Sequence, residues 1–444
     1  MLSNVFNLSI LIIGSITALV LFLLIWNKPV LVIYIQLIYC CFMRFFIWHL
    51  HFPDVIKLFS DFLTVILSLQ VILNFNKTKT LNIRKPLFFI ILFFISATFS
   101  SIISGSSISF YLFGLRTYYK LFIYFLACTI FLKREDLDKL MKFLLMILPI
   151  DTLVVLFQYF ILGLEDDYIG GLFGTVQGCN GESNIYLTIT CIIAITFYVS
   201  KKIKLWYCNI IILQCCMIAA ISELKILFFT LALILMVVFI FNYSNKRAII
   251  ILVSSFFFLS IGIFAFLIIY PGWITMFTDF GSFLRETAAG TYGSSNTLGR
   301  TIAGPYVLQN ILMEPVQKIF GVGLGYGDRY LSMKSNFFAR YESLSFNLFA
   351  YVIIIIEVGI LGLILFCLIF ASILYESMRV INKIEKEKKI YCCISFIVSI
   401  QVFLQILYDQ AIFWDGAYIL FFSLSFPFIM EKEYNEKLLL TART

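Results

Sequence analysis

Charge is scarce in this chain of 444 residues. Only 13% of it is Asp, Glu, Lys or Arg, about half of what a soluble domain carries, while 61% is hydrophobic. An ordinary water-soluble globule is excluded. Histidine is rarer still, with only His49 and His51, both on the hairpin after the second apolar run. Two His with no carboxylate or thiolate set around them make a poor metal site, so no metal and no cofactor are expected. Internal repeats, low-complexity tracts and the inverted symmetry common in transporters are all missing. The first apolar run, 5–26, has no basic segment before it and no small-residue cleavage site after it. It reads as a first span rather than a removed signal. Of eleven cysteines, ten lie in or beside apolar runs, where they act as small apolar residues. Only Cys179 falls in an outward loop, so no disulfide framework is implied.

What the chain has in abundance is apolar runs of membrane-crossing length. They fall near 5–26, 30–50, 55–75, 87–104, 117–132, 140–162, 183–200, 205–221, 226–242, 248–270, 346–373, 390–408 and 413–430. The expected fold class is all-α, a polytopic integral membrane protein of about 13 transmembrane helices (roughly 12–14). Its parts are residues 1–270 (ten spans), 271–345 (one large outward loop with short helices) and 346–444 (three spans and a tail). The net charge of +8 does not point to nucleic acid. The loops at 27–29, 76–86, 133–142, 200–205, 244–248, 375–390 and the tail from 431 hold 22 of the 33 basic residues against nine acids, a net of +13. Basic residues on alternate loops report orientation, which puts those loops in the cytoplasm and the long loop outside. The expected partner surface is the lipid bilayer.

Chemistry is sought in the long loop, because an extended outward segment of a compact protein is usually functional. Leu298, Ile302, Leu308, Ile311 and Leu312 recur at helical spacing, predicting an amphipathic helix on the membrane surface. Gly321, Gly323, Gly325 and Gly327 predict a flexible turn, and a second short helix then carries Arg340 and Glu342. The glycine spacing opens no Rossmann unit, so it does not read as a nucleotide loop. Within the spans, Arg44 and Asp61 flank a turn at matching depth and predict a mutual ion pair, with Lys57 one turn away. Asp151 lies beside Pro149 as a polar kink or ion site, and Glu357 either breaks its helix or faces a polar cavity. Arg116, Lys225, Arg285, Arg300, Arg329 and Arg340 collect on the outward side, which is disfavoured for basic residues. Cations at that depth suit a lipid-linked diphosphate.

The order of motifs carries a resemblance. Gly299-Arg300, Glu314-Pro315, Phe320-Gly321-Val322-Gly323-Leu324-Gly325, Asn347 and Glu357-Val358-Gly359-Ile360-Leu361-Gly362-Leu363 resemble, in sequence, the signature of the O-antigen ligase and Wzy-type O-antigen or capsule polymerase superfamily. Ser222-Glu223-Leu224-Lys225 resembles that family's Ser-Arg element with Lys for Arg, and Gly171-Leu172-Phe173-Gly174 with Asn180 is similar to loops of polymerase-like members. The match spans roughly residues 170–370.

That resemblance implies a metal-independent inner-membrane glycosyltransferase. Its substrate would be an undecaprenyl-diphosphate-linked oligosaccharide on the periplasmic side, and a chain-length regulator and a flippase would be its partners. Lys225 and Arg300 match positions associated with the diphosphate, and Arg116 and Arg340 join them as candidate diphosphate-binding residues. Ligases carry a His before the Asn that ends the long loop, where this chain has Ser345-Phe346-Asn347. This departure favours polymerisation with a carboxylate base, Glu342 first and Glu357 second. The alternatives are a ligase moving finished glycan to a lipid or protein acceptor, and a transporter or flippase using Asp61, Asp151 and Glu357.

Overall fold

The structure, a computed structural model, describes residues 26–242, 245–273, 281, 297–329, 333–385 and 388–441. The expected first span at 5–26 and Arg285 lie outside the described residues. The remaining apolar runs fold as helices α1 (Pro29–Trp48), α2 (Leu58–Leu73), α3 (Arg84–Ile103), α4 (Ile108–Phe131), α5 (Arg134–Phe160), α6 (Asn180–Val199), α7 (Leu205–Ile221), α8 (Lys225–Phe241) and α9 (Lys246–Ile269). Short helices α10 (Ala303–Tyr306), α11 (Pro315–Phe320) and α12 (Asn336–Tyr341) follow, then α13 (Ala350–Lys383), α14 (Lys389–Tyr408), α15 (Ala417–Leu424) and α16 (Phe426–Thr441). Among the described residues, eight helices are long and apolar enough to cross a membrane. α7 and α8 are equally apolar, but at 17 residues each they reach only ~25 Å.

Three boundaries differ from expectation. The gap between the expected spans 87–104 and 117–132 is mostly filled by the first turns of α4, so Arg116 rides on a helix, as Lys120 does. The expected span 413–430 is divided at Ser425, just before Pro427, whose ring opposes a continuous helix. The span expected from 346 starts at Ala350 and runs on to Lys383.

α6 is the axis of the bundle, with every residue from Asn180 to Val199 buried. Successive helices alternate in direction, so their connections gather at two ends. At the basic end, Arg379 and Asn82 both bind Glu431 (2.6 and 2.8 Å), and Lys202 and Tyr391 both reach Asp138. The opposite end carries the long connection between α9 and α13 and is called the wide end below.

At the wide end a carboxylate organises the backbone. α13 is broken at Gly359 (φ 73°), and Glu357, just before the break, has 0% exposure. Its Oε1 accepts from the Gly325 and Gly327 amides (3.0 and 3.2 Å), and its Oε2 accepts from the Tyr118 hydroxyl (2.8 Å). The loop also donates from Val322 N to the Ile356 carbonyl and from Gly323 N to the Glu357 carbonyl. The glycine segment expected to turn freely is therefore pinned to a helix break. Glycine is required there because a Cβ on Gly359 would strike the Ile319 carbonyl, and one on Gly325 would strike the Phe110 carbonyl.

The amphipathic helix expected around 298–312 is corrected as well. A single turn, α10, passes into a π-turn at Val307–Ile311, with Val307 and Leu312 buried and Ile302 43% exposed. Tyr351 holds this segment to the bundle, donating to the Arg300 carbonyl and accepting from Gly304 N.

A positive φ and a backbone collision together should make Gly359→Ala cost roughly 2–5 kcal/mol. Gly272→Ala, where a Cβ meets nothing within 4 Å, should be near neutral. Thermal unfolding in detergent micelles checks the contrast.

Candidate functional site

One pocket at the wide end gathers polar side chains from four parts of the chain. It is lined by Asp167, Gln177, Asn180, Arg300, Tyr408, Asp409 and Gln410, with Gly178, Leu348, Phe349, Ala411 and Trp414 completing it. The Asn180 amide, at the first turn of α6, donates to Asp167 Oδ1 (2.7 Å) and to the Ser222 carbonyl (3.0 Å). That ties the loop after α5 to the α7–α8 turn. Arg300 is held by a bond from Nε to the Tyr408 carbonyl (3.1 Å), and its guanidinium lies 4.4 Å over the Tyr408 ring. Among the described residues, no carboxylate forms an ion pair with it. Lys225, on the turn tied down by Asn180, pairs with Glu223 (2.9 Å), stacks on Trp273 and lies within electrostatic reach of Arg300.

Asp409 caps the end of α14. Its Oδ1 accepts from Gln405 (2.6 Å) and from Ala411 N (2.7 Å), whereas its buried Oδ2 has no hydrogen-bond partner. Burial pushes this carboxyl up to about 6, against those two hydrogen bonds and the nearby Arg300. Burial likewise raises Glu223 despite Lys225 beside it.

Behind the pocket, ion pairs fix the 409–416 loop and its surroundings. Arg44 binds Glu182 on the buried α6 (2.8 Å) and stacks over Trp414 (4.8 Å), while Glu182 also accepts from Gly416 N (2.7 Å). Lys120 binds Asp415 (2.9 Å) and Arg116 binds Asp61 (2.7 Å). Burial would raise Asp415, but Lys120, with Arg44 and Arg116, holds it below the usual carboxylate range. Lysine and arginine stems let these heads reach across the bundle.

The residues expected to act are thus distributed unevenly. Arg300 and Lys225 come together, and Arg116 belongs to the ion-paired layer behind them. The expected Arg44–Asp61 pair does not form, because α6 brings Glu182 to Arg44 and α4 brings Arg116 to Asp61; Lys57 pairs with Asp54 instead. Glu342 sits on the rim, paired with Lys334 (2.6 Å) rather than Arg340, with side chains 42% and 34% exposed. Arg340 turns its guanidinium to Tyr341, and neither it nor Glu342 lines the pocket. Glu357 has its carboxylate occupied by the glycine loop. Arg329 follows Asp328, whose Oδ1 accepts from Arg329 N and from Asn347 Nδ2. Burial raises the Asp328 carboxyl to about 6. Asp151 accepts from Leu172 N (2.8 Å), so it supports the 171–174 turn. His49 meets Gln158, and no group of ligands for a metal occurs among the described residues.

Asp409, Gln410, Trp414, Asp415 and Glu182 were not singled out from the sequence. Their signal was available in part: Asp409-Gln410 fills the short gap after the run 390–408, and Trp414-Asp415-Gly416 puts an indole and an acid at the very start of the run 413–430. Glu182 gave little, since one acid at the edge of a run reads as a boundary. The chain matches no model of a protein family, and no curated protein matches it in sequence.

Breaking the Lys120–Asp415 pair by Lys120→Met should cost ~3–5 kcal/mol, because a buried carboxylate loses its counter-charge. Glu342→Gln, which removes an exposed pair, should cost only ~0–1 kcal/mol. Paired detergent-unfolding measurements separate the two.

Proposed function

We propose that this chain is an inner-membrane glycosyltransferase of the polymerase type, with about 13 spans and its wide end facing outward. It joins repeat units of undecaprenyl-diphosphate-linked oligosaccharide. The observation that carries this reading is Arg300, a guanidinium without an ion pair among the described residues, sharing a pocket with a carboxylate whose Oδ2 is unpartnered. The positive net charge of the loops at the other end supports the orientation.

In the reaction, a hydroxyl of one repeat unit attacks the anomeric carbon of the first sugar of another chain. The new carbon–oxygen bond forms as the bond to the diphosphate oxygen breaks, and the lipid diphosphate departs. Arg300, bidentate, and Lys225 stabilise the charge that grows on the leaving group. Asp409 takes the proton of the attacking hydroxyl, a role better matched to its place in the pocket lining than to Glu342 on the rim or to the occupied Glu357. A carboxyl near 6 is ionised at neutral pH yet basic enough to accept a proton.

Reconstitution with a synthetic lipid-linked repeat unit tests this directly. Arg300→Ala should abolish chain extension, and Arg300→Lys should retain only a minor part because bidentate contact is lost. Asp409→Asn should slow extension by ~10²–10⁴-fold. Wild-type extension should fall as pH drops through about 6, where Asp409 gains its proton. Full-length polymer from both Arg300→Ala and Asp409→Asn would sink the proposal.

The orientation has its own test. Ser343, exposed on the wide end, should react as a single cysteine with an impermeant maleimide in intact spheroplasts, in a background without native cysteines. Labelling only after lysis would invert the topology.

A further inference from the structure

Part of the long connection between α9 and α13 is amphipathic the wrong way round for water. On α11 and just before it, Met313, Val316 and Ile319 are 68%, 45% and 48% exposed, whereas Gln317 and Lys318 are half-buried. A segment bathed in water shows the reverse, with polar residues out and apolar residues in. The three apolar residues recur at every third position, so they share one side of the turn.

Neighbouring surface continues that stripe. Phe320 packs edge-on against Phe99 of α3, with ring centroids 5.1 Å apart, and Phe99, Ile102 and Ile103 are themselves exposed. The sequence from Pro86 to Leu115 covers most of α3, the turn after it and the start of α4, and holds no charged residue. Depth follows from α3. Lys85 belongs to the basic-end ion cluster through Glu376, and Phe99 lies fourteen residues further on, no more than ~21 Å along the helix. Hydrocarbon is about 30 Å thick, so Phe99 and the Phe320 ring beside it fall within it.

Backbone at that depth has to be satisfied by protein, because no water is there to do so. The return from α11 meets this demand. Every amide from Gly321 to Gly325, and that of Gly327, donates within the protein: to the Gln317, Ile356 and Glu357 carbonyls, to Ser101 Oγ and to the Glu357 carboxylate. On the acceptor side, the Ser104 and Ser106 hydroxyls donate to the Gly321 and Val322 carbonyls (3.4 Å each). Ser100 donates to the Glu357 carbonyl at the helix break (2.8 Å).

We infer that residues 313–327 form a re-entrant segment, with α11 inserted among the acyl chains of the leaflet at the wide end and the glycine-rich run returning through the bundle. The partner of the exposed stripe is lipid hydrocarbon, continuous with the shell around α3. Glu314, exposed beside Met313, marks the headgroup level. This placement does not depend on which reaction the pocket carries.

The test is collision of a nitroxide with oxygen, which dissolves in lipid, and with a polar nickel chelate, which does not. Single labels go on Val316→Cys and Ile319→Cys in proteoliposomes, with Ile102→Cys as the membrane reference and Ser343→Cys as the water reference, in a background without native cysteines. The oxygen-to-nickel ratio at 316 and 319 should equal that at 102 and exceed that at 343 by about tenfold, since hydrocarbon excludes polar solutes. Ratios at both positions matching 343, or no collision with either reagent, overturn the inference. The unsubstituted chain gives an independent reading. A diazirine-bearing fatty acid, photolysed in proteoliposomes, should modify the peptide holding 313–320 as heavily as that holding Ile102. Modification no greater than that of the peptide holding Ser343 overturns the inference.

Discussion

A carboxylate buried among apolar helices has to be met by donors, and at the wide end that demand is answered by backbone. Glu357 lies in the last turn before α13 breaks, and the amides of Gly325 and Gly327 converge on one of its oxygens. Charge-assisted bonds of this kind are the strong ones in a low-dielectric interior. They draw the end of the long loop down onto the bundle, so that Asn347 meets Asp328 and the start of α13 meets Arg300 through Tyr351. That anchor acts together with the bond from Arg300 to the Tyr408 carbonyl to set the depth at which Arg300 stands relative to α14. Glycine is needed on both sides of the contact, since the approach is backbone against backbone.

A second layer of constraint comes from three ion pairs between α1, α2, α4, α6 and the 409–416 loop. Each cation is neutralised by a carboxylate from another element, which keeps the desolvation cost tolerable. Their effect is geometric. With Glu182 holding Gly416 and Lys120 holding Asp415, the short loop presents Asp409, Gln410 and Trp414 to the pocket from fixed points. Arg300, by contrast, is stacked and bonded to a carbonyl, and no carboxylate among the described residues pairs with it. In a chain that pairs most of its membrane-depth cations, that difference supports a ligand-binding role.

An ion pathway fits this arrangement less well. Asp61, Asp151 and Glu357 each have a local partner on a different element, Arg116, the Leu172 amide and the glycine loop respectively. At the wide end, aromatic rings line one pocket together with Arg300 and Asp409.

By itself the sequence determined the helical, membrane-spanning character, because crossing hydrocarbon demands long apolar runs and those can be read one segment at a time. It also determined which end is basic, and it pointed to Lys225, at the edge of an apolar run, and to Arg300, within the long outward loop. Tertiary structure alone decided the partners. Arg44 and Asp61 look matched across a hairpin, yet α6 and α4 supply nearer counter-charges from more than 50 residues away. Glu342 looked well placed beside Arg340, but the loop turns it outward to Lys334. Asp409 shares a pocket with Arg300 only because α6, the end of α14 and the segment before α10 converge. Charge pairing follows distance in space, and in a bundle whose order is set by apolar packing, distance in space is not written in the spacing of the charges.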